Sequence, residues 1–227
     1  MRLVALCGFA AEVRLARRFG IEAHATGGDA ARGRALAAQA AEAADGLLSF
    51  GIAGGLAPRL PPGTLLLPRA IVSESGERFT VDPGLHRRTA AALAEAGLHA
   101  ETGDLLGLEA VVATRHAKAA HHARHGATAV DLESIHVARA AHRAGKPFLV
   151  LRAVADPAAH GLPAAALVGL HPSGRAAPGR VLAAVLRQPG QIPQLIDAAR
   201  DTRRALAALR AALPPIERQI HNPKSLA

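Results

Sequence analysis

The sequence predicts an α/β fold with a largely parallel or mixed sheet wrapped by helices. Short apolar runs of strand length alternate with segments of helical periodicity along the whole chain. Leu3 to Cys7 is an apolar run of strand length, and Phe148 to Asp156 is apolar enough for a strand that is buried on both faces. The 227 residues contain no internal repeat, which suits one domain. We predict a domain over residues 1–215 and a mobile tail over residues 216–227.

The elements follow one another in βα alternation. Strands are predicted at Leu3 to Cys7, Leu47 to Gly51, Leu65 to Val72, Ala127 to Val130 and Phe148 to Asp156. Helices are predicted at Glu12 to Phe19, Asp29 to Asp45, Ala90 to Ala96, Thr114 to Arg124, Leu132 to Ala144 and Pro193 to Leu213. Gly145 is a favoured residue just past a helix end and therefore closes the fifth helix.

The composition narrows the possible functions. Lysine and arginine number 27 against 18 aspartate and glutamate, and this charge of +9 suits either anionic partners or a merely solvated helix surface. The chain has no tryptophan or tyrosine to stack bases, which disfavours nucleic acid as a partner. The single cysteine, Cys7, excludes a disulfide framework, and no apolar run reaches transmembrane length. We expect a cytoplasmic protein, free or peripheral to the inner face of the membrane.

One stretch, SFGIAGGLAPRLPPGTLLLP from Ser49 to Pro68, places three glycines directly after an apolar run. Glycine permits positive φ and lets a ligand approach the main chain. We therefore predict a turn at Gly51, Gly54 and Gly55 whose amides face anions or sugar oxygens. The stretch lacks the Gly-Lys-Ser/Thr ending of a triphosphate loop and the G-x-G-x-x-G spacing of a dinucleotide site. Taken alone, it is equally compatible with a packing role.

Three motifs, in this order, resemble the nucleoside phosphorylase and nucleosidase superfamily. They are GIAGGL in the stretch above, AVDLES from Ala129 to Ser134, and LRAVAD ending at Asp156. Up to about Ala158 the chain is similar to the methylthioadenosine/S-adenosylhomocysteine nucleosidases. The C-terminal third, with LPAAALVGL and RVLAAVLRQPGQIPQLIDAARDTRRALAAL, is similar to the hopanoid-associated phosphorylases. The resemblance implies a three-layer sandwich in which helices flank a central mixed, partly barrel-like sheet.

The resemblance implies that the chain cleaves adenine from an adenosine-type nucleoside, with adenosylhopane as the expected substrate and ribosylhopane or phosphoribosylhopane as the product. Asp156 matches the acid that protonates the purine at N7, and burial should raise its pKa. Ala155 stands where many relatives carry serine, so a hydroxyl that could orient this acid is missing. Glu133 matches the carboxylate that holds the ribose hydroxyls and stabilises positive charge on the sugar. The structural alternatives are a turn cap for Asp156 and a helix-dipole acid for Glu133.

The nucleophile is left open between water and phosphate. Glu12, in GFAAEV, matches the residue that activates water in the nucleosidase branch, although an exposed glutamate in a first helical turn would look the same. Phosphate would bind through the GIAGG amides and an arginine such as Arg69 or Arg152. Arg152 is equally interpretable as a structural ion-pair partner. We expect no cofactor, with inorganic phosphate as the co-substrate of the second route.

The remaining predicted contacts surround the nucleoside. Val111 and Val112 stand where the family holds the purine with an aromatic-bearing segment, and Phe9 stands near the 5′ side. The resemblance completes the substrate-binding set with Gly51, Ala53, Gly54, Asp131, Leu132 and Arg152. Phe9, Phe50 and the apolar C-terminal helices predict a wide apolar mouth for a lipid tail, although each residue is also typical of a core.

Other features predict partners less directly. His121 and His125 in HAKAAHHARH have a spacing that metals can use, but we interpret the run as a solvated basic helix and predict no metal site. The C-terminal helix carries Arg200, Arg203, Arg204 and Arg210 among apolar residues and could contact an anionic membrane or pack on the core or on a second subunit. We expect a homodimer. The alternatives in function are a methylthioadenosine/S-adenosylhomocysteine nucleosidase and a non-catalytic nucleoside- or lipid-binding protein.

Overall fold

A computed structural model describes the fold over residues 1–163 and 189–221. Most of the LPAAALVGL motif, which begins at Leu162, lies outside the described residues. The strands are β1 (Leu3–Cys7), β2 (Glu22–Ala25), β3 (Gly46–Gly55), β4 (Leu65–Leu66), β5 (Ala70–Ser73), β6 (Arg78–Thr80), β7 (Ala100–Glu101), β8 (Leu105–Gly107), β9 (Ala129–Asp131) and β10 (Phe148–Asp156). The helices are α1 (Ala10–Arg18), α2 (Ala30–Ala43), α3 (Pro83–Glu95), α4 (Arg115–His125), α5 (Ser134–Ala144) and α6 (Ile192–His221).

The long strand β3 organises the sheet. Along one edge it pairs in parallel with β10 from Leu47 to Gly54. Its other edge is shared, because β1 pairs in parallel with the first part and β9 pairs antiparallel with Gly54 and Gly55. The strand order β6-β5-β8-β9-β3-β10-β4-β7, with β1 and β2 branching from β3, therefore forks at this strand. The sheet that contains this fork is mixed, as the resemblance implies.

Helices cover the sheet on two faces. One apolar cluster joins the sheet to α1, α3 and α6 through residues such as Val13, Leu93 and Leu209. A second cluster joins it to α2 and α5 through Ala37 and Ala138. Burial of apolar surface on both faces is the main term that holds such layers together. The predicted three-layer α/β sandwich is confirmed.

Most predicted elements lie near where the sequence places them, with the largest differences at β4, at β5 and at α3, which begins at Pro83 rather than at Ala90. The predicted single strand from Leu65 to Val72 is wrong, because the chain leaves the sheet after Leu66 and re-enters it at Ala70. Pro68 lies in the break, and proline lacks the N–H that a ladder needs. The short strands β2, β6, β7 and β8 were not predicted, because two to four residues carry too little periodicity.

The C-terminal helix packs on the core. Leu209, Leu213 and Ile216 are buried against the sheet, whereas Arg203 and Arg210 face outward. Ile216 is buried within α6, and residues 222–227 lie outside the described chain. No helix in the described ranges is long and apolar enough to cross a membrane.

Candidate active site

The candidate site lies where β3 and β10 reach their carboxyl ends. Their register places Arg152 opposite Gly51 and Asp156 opposite Gly54, with an irregularity between Val154 and Asp156. The extra residue there is Ala155, and a bulge of this kind turns the following side chain to a new direction. The sheet therefore delivers an arginine and a carboxylate to one edge, where α1 and α5 begin.

Glu12 lies in the first turn of α1 and is fully buried. Its Oε2 accepts the N–H of Phe9 at 2.8 Å, and its Oε1 accepts the N–H of Ile52 at 2.8 Å. Burial raises the pKa of Glu12 to about 7, although the neighbouring Arg152 guanidinium opposes the rise. An ordinary exposed glutamate is therefore the wrong interpretation. A carboxyl group with this pKa is half ionised at neutral pH and is suited to accept a proton.

Arg152 is the fully buried cation at the centre of the acids. Its Nε lies 2.6 Å from Asp131 Oδ2, and its Nη2 lies 3.2 Å from Glu133 Oε2. The same Nη2 donates to Ser49 Oγ at 2.6 Å. A buried arginine held by two carboxylates on separate elements orients both of them. The ion-pair interpretation of Arg152 fits this geometry, and a substrate contact would require one of these partners to be displaced.

Asp131 supports the start of α5. Its Oδ1 accepts the N–H of Ser134 at 3.0 Å, and its Oδ2 accepts the Ser134 hydroxyl at 2.5 Å. Ser134 in turn lies 2.8 Å from Ser49 on β3. With Arg152 added, the accepting positions of Asp131 are largely filled by the protein. Its predicted contact with substrate would compete with these partners.

Glu133 sits at the N-cap position of α5 but makes no capping hydrogen bond. Its Oε1 instead accepts the Thr26 hydroxyl at 3.1 Å, and its Oε2 faces Arg152. Burial raises the pKa of Glu133, and Arg152 opposes that rise. Gly8 leaves room for this carboxylate, because a Cβ there would lie 3.1 Å from Oε1. The side chain is thus directed toward the edge of the sheet rather than toward the amides of its own helix.

The glycines of GIAGG lie within strand β3, so the predicted glycine turn is wrong. Only Gly51 of the three has positive φ, at 148°. A Cβ on Gly51 would lie 2.5 Å from Glu12 Oε1 and 2.8 Å from Arg152 Nη1. Gly54 borders Asp156, whose Oδ2 would be 3.8 Å from a Cβ. The glycines therefore admit the site's own charged side chains, which the sequence alone could not distinguish from admitting a ligand.

Substituting Gly51 with alanine should displace Glu12 and Arg152. The added methyl group would meet both side chains below van der Waals distance at a φ that disfavours non-glycine residues. We expect Gly51→Ala to lower the free energy of unfolding by roughly 2–4 kcal/mol. Chemical denaturation measures this loss. Gly76→Ala is the matched control, because Gly76 has φ of 91° with no atom within 4 Å of a Cβ, so it isolates backbone strain.

Asp156 ends β10 with its side chain largely buried. Burial raises the pKa of Asp156 above its ordinary value, and the neighbouring Lys118 ammonium opposes the rise. Lys118 Nζ lies 2.6 Å from Asp156 Oδ2. This contact shows that the predicted acid is held by a charged group from α4, an element that the sequence does not associate with it.

Lys118 itself is fully buried, which corrects the interpretation of HAKAAHHARH as a solvated basic helix. The His121 and His125 rings in the same helix stack with centroids 6.0 Å apart and are only half exposed. The local sequence around Lys118, HAKAAHHARH, does not mark it as buried. Its partner lies 38 residues further along the chain, so local spacing could not have identified it.

The residues that were predicted to line the nucleoside pocket differ in how far they are exposed to solvent. Phe9 and Leu132 are half-buried beside the site, and Val111 is exposed. Val112 packs in a small apolar cluster that includes Val130. Phe50 is fully buried in the main core, so its predicted place in an apolar mouth is wrong; its position in the middle of β3 directs it into the packed layer.

Two other features of the described residues lie apart from the acids. Among residues 1–163 and 189–221, no group of three or more histidine, cysteine or acidic side chains could hold a metal ion.

A cavity of about 250 Å³ lies between α2 and α5, where Arg34, His136 and Arg143 line it. None of Glu12, Glu133 and Asp156 borders that cavity, so it is separate from the candidate active site.

A family model described as the phosphorylase superfamily matches residues 24–187, which is well over half of the chain. The chain belongs to the phosphorylase superfamily. Membership makes it an enzyme of the nucleoside phosphorylase and nucleosidase type, acting at an N-glycosidic bond. Among curated proteins, a sequence comparison finds no match.

Solved structures with the same fold include nucleosidases from several bacteria. The 5′-methylthioadenosine/S-adenosylhomocysteine nucleosidase of Neisseria meningitidis, solved with methylthio-immucillin-A, has a TM-score of 0.71 at 18% identity over 95% of this chain and 98% of its own. A putative enzyme of that name from Francisella philomiragia gives 0.69 at 14% identity over 98% and 100%. A futalosine hydrolase mutant of Helicobacter pylori gives 0.58 at 16% over 68% and 89%. At these identities the likeness establishes the fold.

Proposed function

We propose that this enzyme removes adenine from an adenosine-type nucleoside by hydrolysis. The observation that carries the proposal is the meeting of three buried or largely buried carboxyl groups, Glu12, Glu133 and Asp156, at the carboxyl ends of β3 and β10. Ligands in open α/β sheets bind at this edge. Burial raises the pKa of each of the three, and perturbed acids gathered in one place are typical of catalytic sites.

The three acids take separate roles in the proposed reaction. Asp156 donates its proton to N7 of adenine while the C1′–N9 bond breaks and its electron pair stays with the base. Glu133 faces the ribose and stabilises the positive charge that develops on C1′. Glu12 accepts a proton from water as the water oxygen bonds to C1′. The products are adenine and the free sugar, and solvent exchange restores the two protonation states.

The geometry favours water over phosphate as the nucleophile. The Ile52 amide in GIAGG already donates to Glu12, and the Arg152 guanidinium is occupied by carboxylates and Ser49. A phosphate dianion would also lie against the buried Glu12 carboxyl group, and like charges at close range repel strongly in a buried site. Arg69 is exposed and is the remaining candidate from the sequence.

Adenosylhopane is the substrate that we propose, which yields ribosylhopane for hopanoid biosynthesis. The support is the resemblance of the C-terminal third to hopanoid-associated phosphorylases and the exposure of Ile192 and Ile196 at the start of α6. Asp201, further along α6, lies 3.9 Å from His160 in the segment that follows Asp156. An exposed apolar helix start suits a lipid tail and a peripheral contact with the cytoplasmic face of the membrane. A homodimer belongs to the same proposal.

Methylthioadenosine is the competing substrate. The structure from Neisseria meningitidis that shares the fold over nearly the whole chain is a 5′-methylthioadenosine/S-adenosylhomocysteine nucleosidase in complex with methylthio-immucillin-A. A small apolar group at the 5′ position would require no opening toward α6. The two substrates share the adenine and ribose and differ only at that position.

The deciding experiment measures adenine release from adenosylhopane in detergent, with and without phosphate, beside methylthioadenosine under the same conditions. We expect release from adenosylhopane without phosphate. Release that depends on phosphate would replace water with phosphate as the nucleophile. Turnover of methylthioadenosine alone would overturn the hopanoid assignment, and release from neither nucleoside would overturn the proposed activity.

A further inference from the structure

We infer that Lys118 is a positioning residue that holds the Asp156 carboxyl group in place and stabilises the carboxylate left after proton donation. The inference rests on the proposed function, because it assigns Asp156 the role of general acid. Lys118 comes from α4, and none of its side chain is exposed. Its Nζ lies 2.6 Å from Asp156 Oδ2.

Lys118 is fixed independently of the carboxylate. Its Nζ donates to the backbone oxygens of Pro157 at 3.0 Å and His160 at 2.8 Å, and it lies 3.3 Å from that of Asp156. An ammonium group has three N–H donors. The two shorter carbonyl contacts anchor Nζ, and the third N–H is directed at Asp156, where it is shared between the backbone oxygen at 3.3 Å and Oδ2 at 2.6 Å. Backbone oxygens therefore hold the Lys118 ammonium group in place, and the ammonium group in turn holds the Asp156 carboxyl group.

Among residues 1–163 and 189–221, little else is placed to orient Asp156. Ala155, the bulged residue before it, carries no hydroxyl, and the facing Gly54 carries no side chain. The other charged or titratable groups that act on the Asp156 carboxyl are His160 in the following segment and Asp201 on α6. Lys118 is the group that contacts it as an ion pair. The fixed Lys118 ammonium group therefore sets the orientation of the Asp156 carboxyl group.

The contact also assigns the two carboxyl oxygens. Because Lys118 occupies Oδ2, the transferable proton lies on Oδ1. As the C1′–N9 bond breaks, this proton passes to N7 and the electron pair of the broken bond remains on the base. The new Asp156 carboxylate then lies beside an ammonium group in a poorly hydrated place, where such a charge interaction is strong. Lys118 is fully buried against Asp156 and is inferred to act through it.

Lys118→Met should lower kcat for adenine release by roughly 10- to 100-fold, a part of the 10²–10⁴-fold that a general acid contributes. KM should change little, because Lys118 does not contact the nucleoside. Removal of the cation should raise the pKa of Asp156, so the acid keeps its proton to higher pH and the alkaline limb of kcat moves upward. If Lys118 only supported the fold, its replacement would lower kcat by the same factor at every pH and would leave the pH of the alkaline limb unchanged.

Lys146→Met is the matched control. Lys146 Nζ also donates to backbone oxygens, those of Ala44 and Glu42, but it lies beside no carboxylate in the described residues. Its removal should leave kcat and the alkaline limb unchanged. Lys118→Gln supplies a second test variant if methionine prevents folding, since it keeps an N–H donor without the charge. Circular dichroism and thermal unfolding establish that each variant is folded.

The double variant Asp156→Asn/Lys118→Met separates positioning from general damage. If Lys118 acts through Asp156, the double variant should be no slower than Asp156→Asn alone. Multiplication of the two losses would overturn the inference, as would an unshifted pH profile in folded Lys118→Met or Lys118→Gln. A wild-type protein that cleaves no nucleoside would overturn the proposed function itself. Cleavage by the wild type with independent losses would overturn only the role of Lys118.

Discussion

Replacement of Asp156 with asparagine should slow adenine release by roughly 10²–10⁴-fold, because an amide cannot donate the proton that the departing purine requires. Asparagine keeps the shape of the side chain and an oxygen that accepts from Lys118. Single-turnover release of adenine measures the chemical step. KM should stay within a few-fold of the wild-type value, since the sugar contacts assigned to Glu133 are not touched.

The loss should depend on the leaving group. A riboside with an activated leaving group, such as 4-nitrophenyl riboside, departs as an anion without protonation, so Asp156→Asn should affect it far less than adenosine. Asp82→Asn is the matched control, because Asp82 caps α3 by accepting from the Leu85 N–H at 2.7 Å, and asparagine caps equally well. Equal losses with both leaving groups would contradict a general-acid role for Asp156.

The sequence predicts the strands and acidic residues of the site well where an apolar run or a motif marks them directly. The strand Phe148–Asp156 is predicted residue for residue, because Pro147 and Pro157 bound an apolar run. Glu12 and Glu133 are predicted from the resemblance, through GFAAEV and AVDLES, and the structure places them in the first turn of α1 and at the N-cap of α5. What these predictions share is that strand ends gather at one edge of an α/β sheet whatever the details of packing.

The rest of the site depends on contacts between distant residues. Glycine in GIAGG is compatible with a turn or a strand, and only the side chains that pack against it decide between them. Here Glu12 and Arg152 occupy the space that a Cβ at Gly51 would fill. Lys118 is likewise an ordinary helix lysine until α4 packs beside the end of β10. No local pattern encodes which strand end a buried cation will meet, so this contact needed the structure.

The ionisation of Glu12 should couple activity to stability. For a carboxyl group whose folded pKa is raised, the native state binds more protons than the unfolded state between the two pKa values, so its stability contribution is complete below the unfolded pKa and lost as pH rises. With a folded pKa of about 7 against an ordinary value of 4.5, this group alone should lower the free energy of unfolding by about 3 kcal/mol between pH 4 and pH 8. Glu12→Gln cannot ionise and should lack that decrease. Urea unfolding of both proteins at several pH values measures the difference.

Glu12→Gln should also lower hydrolysis by roughly 10²–10⁴-fold, because the amide cannot accept a proton from water. In the wild type, the acid limb of kcat/KM should fall as pH drops through about 7, since only the ionised Glu12 is a base. The effect of added phosphate on the Glu12→Gln variant tests whether Glu12 activates water. Phosphate is an anionic nucleophile that needs no deprotonation, so a phosphorolytic enzyme should keep most of its phosphate-dependent rate in Glu12→Gln. A hydrolytic enzyme should stay slow with or without phosphate, and it should recover only with an added nucleophile that is small enough to enter and already ionised, such as azide.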